Sequence, residues 1–131
     1  MESRHISRVV AASPAAVYAV AADPDNLPRW ASGLARGEIR RDGDALVVDS
    51  PMGRVTVTFV PRNALGVLDH EVRLPSGEVV TNPMRVVAHP EGAEVVFTLR
   101  RRDLTDEELA RDAAMVERDL EALGRLVEGG A

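Results

Sequence analysis

The chain has 131 residues, 45% of them apolar and 28% charged, which suits one soluble globular domain with a sizeable core and is too short for two ordinary ones. It has no cysteine, which excludes a disulfide scaffold, a thiolate metal site and a cysteine nucleophile. All sixteen basic residues are Arg and the 21 acidic ones bring the net charge to −5, a poor match to a phosphate backbone, so nucleic acid is not an expected partner.

No apolar run reaches the roughly 18 residues of a membrane span, and the first residues lack the apolar stretch of a secretory signal. A cytoplasmic protein without membrane insertion is expected, with residues 1–131 as a single domain, since composition shifts nowhere between Arg4 and Val127. His5 to Ala11 is rich in β-branched residues and reads as a strand. Ser13-Pro14 follows, an N-cap and a residue whose φ is already helical, so a helix is expected over Pro14 to Ala22, apolar nearly all round and therefore buried. Asp23-Pro24 repeats the signal and launches a second short helix through Leu27 and Trp30, which Gly33 ends.

From Ala35 to Arg101 the apolar period becomes two and turn signals recur, which predicts an antiparallel meander. Its strands are expected at Ala35–Arg41, Ala45–Asp49, Arg54–Val60, Val67–Leu74, Glu78–Ala88 and Ala93–Arg101. The chain closes with an amphipathic helix over Leu104 to Val127: Thr105 and Glu108 form a capping box, and Leu109, Ala113, Val116, Leu120, Leu123 and Val127 share one stripe. Glu107 with Arg111, Glu121 with Arg125, and the carboxylate pairs Glu108 with Asp112 and Glu117 with Glu121 are read as its solvated side.

Alternation puts Leu46, Val48, Val55, Val57, Phe59, Leu68, Val72, Leu74, Val80, Met84, Val86, Ala88, Val95, Phe97 and Leu99 on the inner face, with two polar intruders, His70 and Asn82. Both apolar faces of a hairpin must lie on one side of the sheet. A three-residue loop at Pro75-Ser76-Gly77 therefore pairs Val72 with Val80, His70 with Asn82 and Leu68 with Met84. A four-residue loop over His89 to Gly92 sets Met84 across from Phe97 and Asn82 across from Leu99. One Trp, one Tyr and two Phe are the only aromatics, too few large side chains to fill the space between a curved sheet and one helix, so a mostly apolar pocket with a few polar groups is expected there.

The order of these elements, with Arg8-Val-Val-Ala-Ala-Ser-Pro-Ala-Ala-Val17-Tyr18 and Asp23-Pro-Asp-Asn-Leu-Pro-Arg-Trp30, resembles the START-related helix-grip (SRPBCC) superfamily, in particular its small bacterial polyketide cyclase/dehydratase-like branch. The resemblance covers essentially the whole chain and marks a fold rather than a reaction. It implies an α+β helix-grip domain, about seven strands wrapped around the C-terminal helix, with a hydrophobic cavity for lipids, polyketides or isoprenoid-like molecules. No shared catalytic motif exists to carry over, and no cofactor is implied.

His70 is the candidate for chemistry: an imidazole on the inner face serves as a general acid or base near neutral pH, or sits in the core hydrogen-bonded to Asn82. Asp69 and Glu71 point to the other face, so neither orients its ring. The expected lining is Trp30, Val57, Phe59, Leu68, His70, Asn82, Met84, Phe97 and Met115. For Trp30, Met84 and Met115 core packing is the alternative, and the Tyr18 hydroxyl needs either a ligand or a backbone partner. His5, His70 and His89 lack ligand spacing, so no metal site is expected, and Arg100, Arg101 and Arg102 read as a solubilising run. A small hydrophobic ligand is the leading function and a cyclase or dehydratase using His70 the second. The third is a filled core with a protein-binding outer face at Val47, Val79 and Val96.

Overall fold

A computed structural model describes residues 1–32 and 34–129, Arg36 and Gly37 by backbone alone. The elements run β1 (Ser3–Val10), α1 (Pro14–Ala21), a 3-10 turn (Pro24–Asn26) continuing into α2 (Leu27–Trp30), β2 (Arg36–Asp42), β3 (Ala45–Ser50), β4 (Gly53–Phe59), β5 (His70–Arg73), β6 (Val79–Asn82), β7 (Met84–His89), β8 (Gly92–Arg100) and α3 (Asp106–Glu128). This is the α+β helix-grip arrangement: antiparallel sheets around a long C-terminal helix, with two short helices near the start. Gly33, expected to end the second helix, lies outside the described residues.

The caps form as their chemistry requires. Ser13 Oγ accepts from the Ala16 N–H at 3.1 Å, and Thr105 and Glu108 bond reciprocally across the first turn of α3. The Tyr18 hydroxyl accepts the Asn63 backbone N–H at 3.0 Å, so its partner is backbone.

The strand expected over Glu78–Ala88 is two strands, β6 and β7, which raises the count to eight in two sheets ordered β2-β3-β4-β5-β6 and β1-β8-β7. Pro83 is the reason. It has no N–H to give a ladder, and its carbonyl accepts from Thr98 N–H at 2.9 Å, so here the chain exchanges partner β5 for partner β8. The expected strand Val67–Leu74 correspondingly starts at His70, while Leu68 N–H still bonds Met84 O and Val86 N–H bonds Gly66 O. Gly66 sits at φ +74°, and a Cβ there would lie 2.2 Å from the Val86 carbonyl oxygen, so this seam between the sheets requires glycine.

Register follows parity: His70 pairs with Asn82, Val72 with Val80 and Met84 with Phe97. The last hairpin pairs as far as His89 with Gly92, which leaves Pro90-Glu91 as its loop instead of four residues. Ala88, expected inside, is exposed at the end of β7. The main core gathers Val10, Val17, Ala21, Leu27, Val57, Val95, Leu120 and Leu123. α3 packs on β1, α2, α1 and, more lightly, β8, and so stands off from β4, β5 and β6.

Candidate functional site

Between α3 and those three strands lies a cavity of about 260 Å³. Phe59 on β4, His70 on β5, Asn82 on β6 and Phe97 on β8 reach it from the sheet, Trp30 from α2 and Met115 from α3. Val57, Leu68 and Met84, expected beside them, lie instead in the packed core at 0%, 2% and 0% exposure. All three are on the inner face, but the apolar side chains of α1, α2 and their neighbours on the sheet cover them. The core is therefore not filled. Val47 and Val96 are half-buried and Val79 exposed, on strands of two different sheets.

His70 is 4% exposed and sits between two rings, its centroid 4.7 Å from that of Phe59 and 6.0 Å from that of Phe97. Its Nδ1 lies 2.9 Å from the Leu68 carbonyl oxygen, and as a carbonyl only accepts, Nδ1 carries the proton and Nε2 is left as an acceptor. The hydrogen bond to Asn82 does not form among the described residues, although the two are direct cross-strand partners: the ring bonds instead to the segment that leads into β5. Burial pushes the imidazole below its usual range, against the smaller opposing pull of the Leu68 carbonyl and of Asp69, so it is neutral at pH 7.

Asp69 faces the other side of the sheet, as alternation requires. Its carboxylate accepts from Met84 N–H at 2.9 Å and takes a two-pronged grip from Arg85 at 2.9 and 2.7 Å, which holds it below the usual carboxylate range. It clips β5 to β7 and contributes no oriented partner to His70.

Trp30, also in the lining, is 5% exposed, and its indole Nε1–H is buried without a hydrogen-bond partner. The rim carries residues that sequence patterning missed: Pro51 and Met52 from the β3–β4 turn, Arg100 and Arg102, and Asp112 and Asp119 of α3. Asp112 is not on a fully wet stripe. Burial raises its carboxyl above the usual range while Arg102 pulls the other way. The turn and arginine positions had no periodic signal that would place them there. Asp112 and Asp119 stand three and four residues from Met115, a helical spacing that shares a face with it. Among the described residues no three His, Asp or Glu side chains group as metal ligands, and no helix is long and apolar enough to cross a membrane.

Residues 1–128 match the family described as polyketide cyclase/dehydrase and lipid transport, and the chain belongs to it. The Aha1 dimer from Colwellia psychrerythraea superposes with a TM-score of 0.78 at 16% identity, covering 98% of this chain and 97% of that one. XoxI from Bacillus cereus gives 0.74 at 15% identity over 97% and 96%. DynU16, a protein of the dynemicin biosynthetic locus, gives 0.76 at 15% identity over 99% of this chain and 48% of its own. At such identities the likeness is one of fold. No curated protein matches the chain.

Proposed function

We propose that this member of the polyketide cyclase/dehydrase and lipid transport family binds a compact hydrophobic or aromatic molecule beneath α3, with His70 as its principal polar contact. The observation that carries this reading is a buried, neutral imidazole on the wall of a mostly apolar cavity, with Nδ1 committed to Leu68 and Nε2 free to accept. A guest with a hydroxyl or amide N–H donates to Nε2, and an acceptor on it would satisfy the Trp30 indole. About 260 Å³ suits a guest of one or two fused rings, below the usual range for drug-sized ligands. Titration of a panel of compact lipophilic fluorophores, 2-naphthol among them, is expected to show one saturable site, weakened severalfold in His70→Leu. Absence of saturable uptake of every probe would overturn the proposal.

A second reading is supported by the same ring. A neutral imidazole in a dry pocket is a competent general base, taking a proton from a substrate O–H or activated C–H at Nε2 and returning it later in the turnover. The partner of Nδ1 is a carbonyl and not a carboxylate, so the imidazolium such a step creates has little to stabilise it, which places binding first. If turnover of a polyketide-like substrate is found, it should follow the imidazole titration and be lost in His70→Gln. Wild-type rates in that variant would end the enzymatic reading.

A further inference from the structure

A second hollow, of about 240 Å³, lies at the far end of the sheet, bounded by Ala21 and Leu27 on the helices, by Gly43 and Asp44 in the β2–β3 turn, and by Leu46 and Phe59. Phe59 also lines the first cavity, and among the described residues it alone belongs to both walls. The topology explains this. β3 and β4 are joined by the turn whose Pro51 and Met52 rim the first cavity, and β4 runs from Gly53 to Phe59, seven residues or about 20 Å, toward the opposite end. Continuing the β3–β4 register, in which Leu46 pairs with Val57, puts Phe59 across from Asp44 on the rim of the second hollow. The Phe59 ring, half-buried and tilted 30° against His70 at 4.7 Å, thus stands where the inner end of one space meets the other.

We propose that Phe59 is a specificity-determining partition that sets the length of the guest. With its ring in place the His70 cavity is a blind pocket for a compact ring system. With the ring removed the two hollows become one channel, open at the β3–β4 turn and at the β2–β3 turn, that takes an elongated apolar chain such as a long fatty acyl tail. This inference rests on the binding reading above. Its test compares 2-naphthol with cis-parinaric acid, an 18-carbon fluorescent fatty acid, on wild type, Phe59→Ala and Phe59→Leu.

Wild type should bind 2-naphthol and prefer it over cis-parinaric acid. Phe59→Ala should gain at least about tenfold in affinity for the long chain, from the additional methylenes buried, and lose affinity for 2-naphthol as the aromatic wall disappears. Phe59→Leu, which keeps the core apolar, should gain less, and it decides the matter if Phe59→Ala does not fold. Failure of wild type to bind 2-naphthol or any other compact probe counts against the binding reading itself. Binding of compact probes with unchanged long-chain affinity in both variants, or equal affinity of wild type for the two probes, would overturn the partition alone.

Discussion

The two sides of the closing helix are built from the same small apolar residues, yet one is solid and the other hollow. Where α3 meets β1 the two pack directly, with Val17 of α1 in the same core as Val10, Leu120 and Leu123. Where Met115 and Val116 face β4, β5 and β6, a space is left open, because the helix leans on β1 and α2. Composition does not decide where a cavity forms; which strands the helix rests on does. The polar atoms do not divide as cleanly: on the solid side Tyr18 finds a backbone partner but Arg8 Nε, against Gly124, is buried without one, and at the hollow the Trp30 indole nitrogen has none either.

That contrast is broken most severely by substitution on the solid side. Leu123 is 0% exposed, so Leu123→Ala should cost about 2–5 kcal/mol in urea unfolding, through lost burial and the void left behind. Met115→Ala at the hollow should cost less than about 1 kcal/mol, because its neighbours already face unfilled space. Equal losses at the two sites would mean that the helix packs alike on both. Gly66→Ala should match the larger figure from backbone conflict alone, since the added Cβ must displace the Val86 carbonyl at the seam joining the sheets; an unchanged urea midpoint would show that the seam yields.

How legible this was in the sequence differs by kind of signal. Parity of the inner faces determined the pairing of His70 with Asn82 and of Met84 with Phe97, because a one-residue slip would bury Glu71 and Arg85. Ser13 and Thr105 marked the helix starts because their hydroxyls are the local acceptors for free N–H groups. The split at Pro83 was visible as a residue, but alternation continues unbroken through it, so periodicity alone joined β6 to β7. Alternation also cannot distinguish an inward side chain facing a hollow from one facing a neighbour, which is why Val57, Leu68 and Met84 were grouped with Phe59 and Phe97. Nor does it foretell a ring orientation: Nδ1 bonds to the chain two residues back, just before β5, instead of across to Asn82.

The next test is of pH. Burial lowers the folded-state pKa of His70 below the unfolded value, so between the two the unfolded chain binds more protons. Stability at this residue is therefore fully present above the unfolded pKa of about 6.5 and declines as pH falls below it. Wild type should lose stability from this group as pH falls below about 6.5, and His70→Leu should remove that part of the pH profile. Binding of a hydroxylated probe should persist through that interval and weaken only as pH falls through the lowered folded-state pKa, since a protonated Nε2 no longer accepts. A pH profile identical in His70→Leu and wild type would place the neutral imidazole elsewhere in the balance.

The smallest effect expected is at the rim, where the helix turns from solid to hollow. Burial raises the Asp112 carboxyl, so the folded state disfavours its charge, and the neighbouring Arg102 only partly offsets this. Asp112→Asn should therefore raise stability at pH 7, by no more than about 0.3 kcal/mol because solvent screens a half-exposed group. The gain should vanish as pH falls through the raised folded-state pKa and the wild-type carboxyl takes up its proton. A loss of stability at pH 7 would mean that the pull of Arg102 outweighs burial. The rim charge would then be held by attraction at a distance, since the Arg102 guanidinium itself pairs with Glu78.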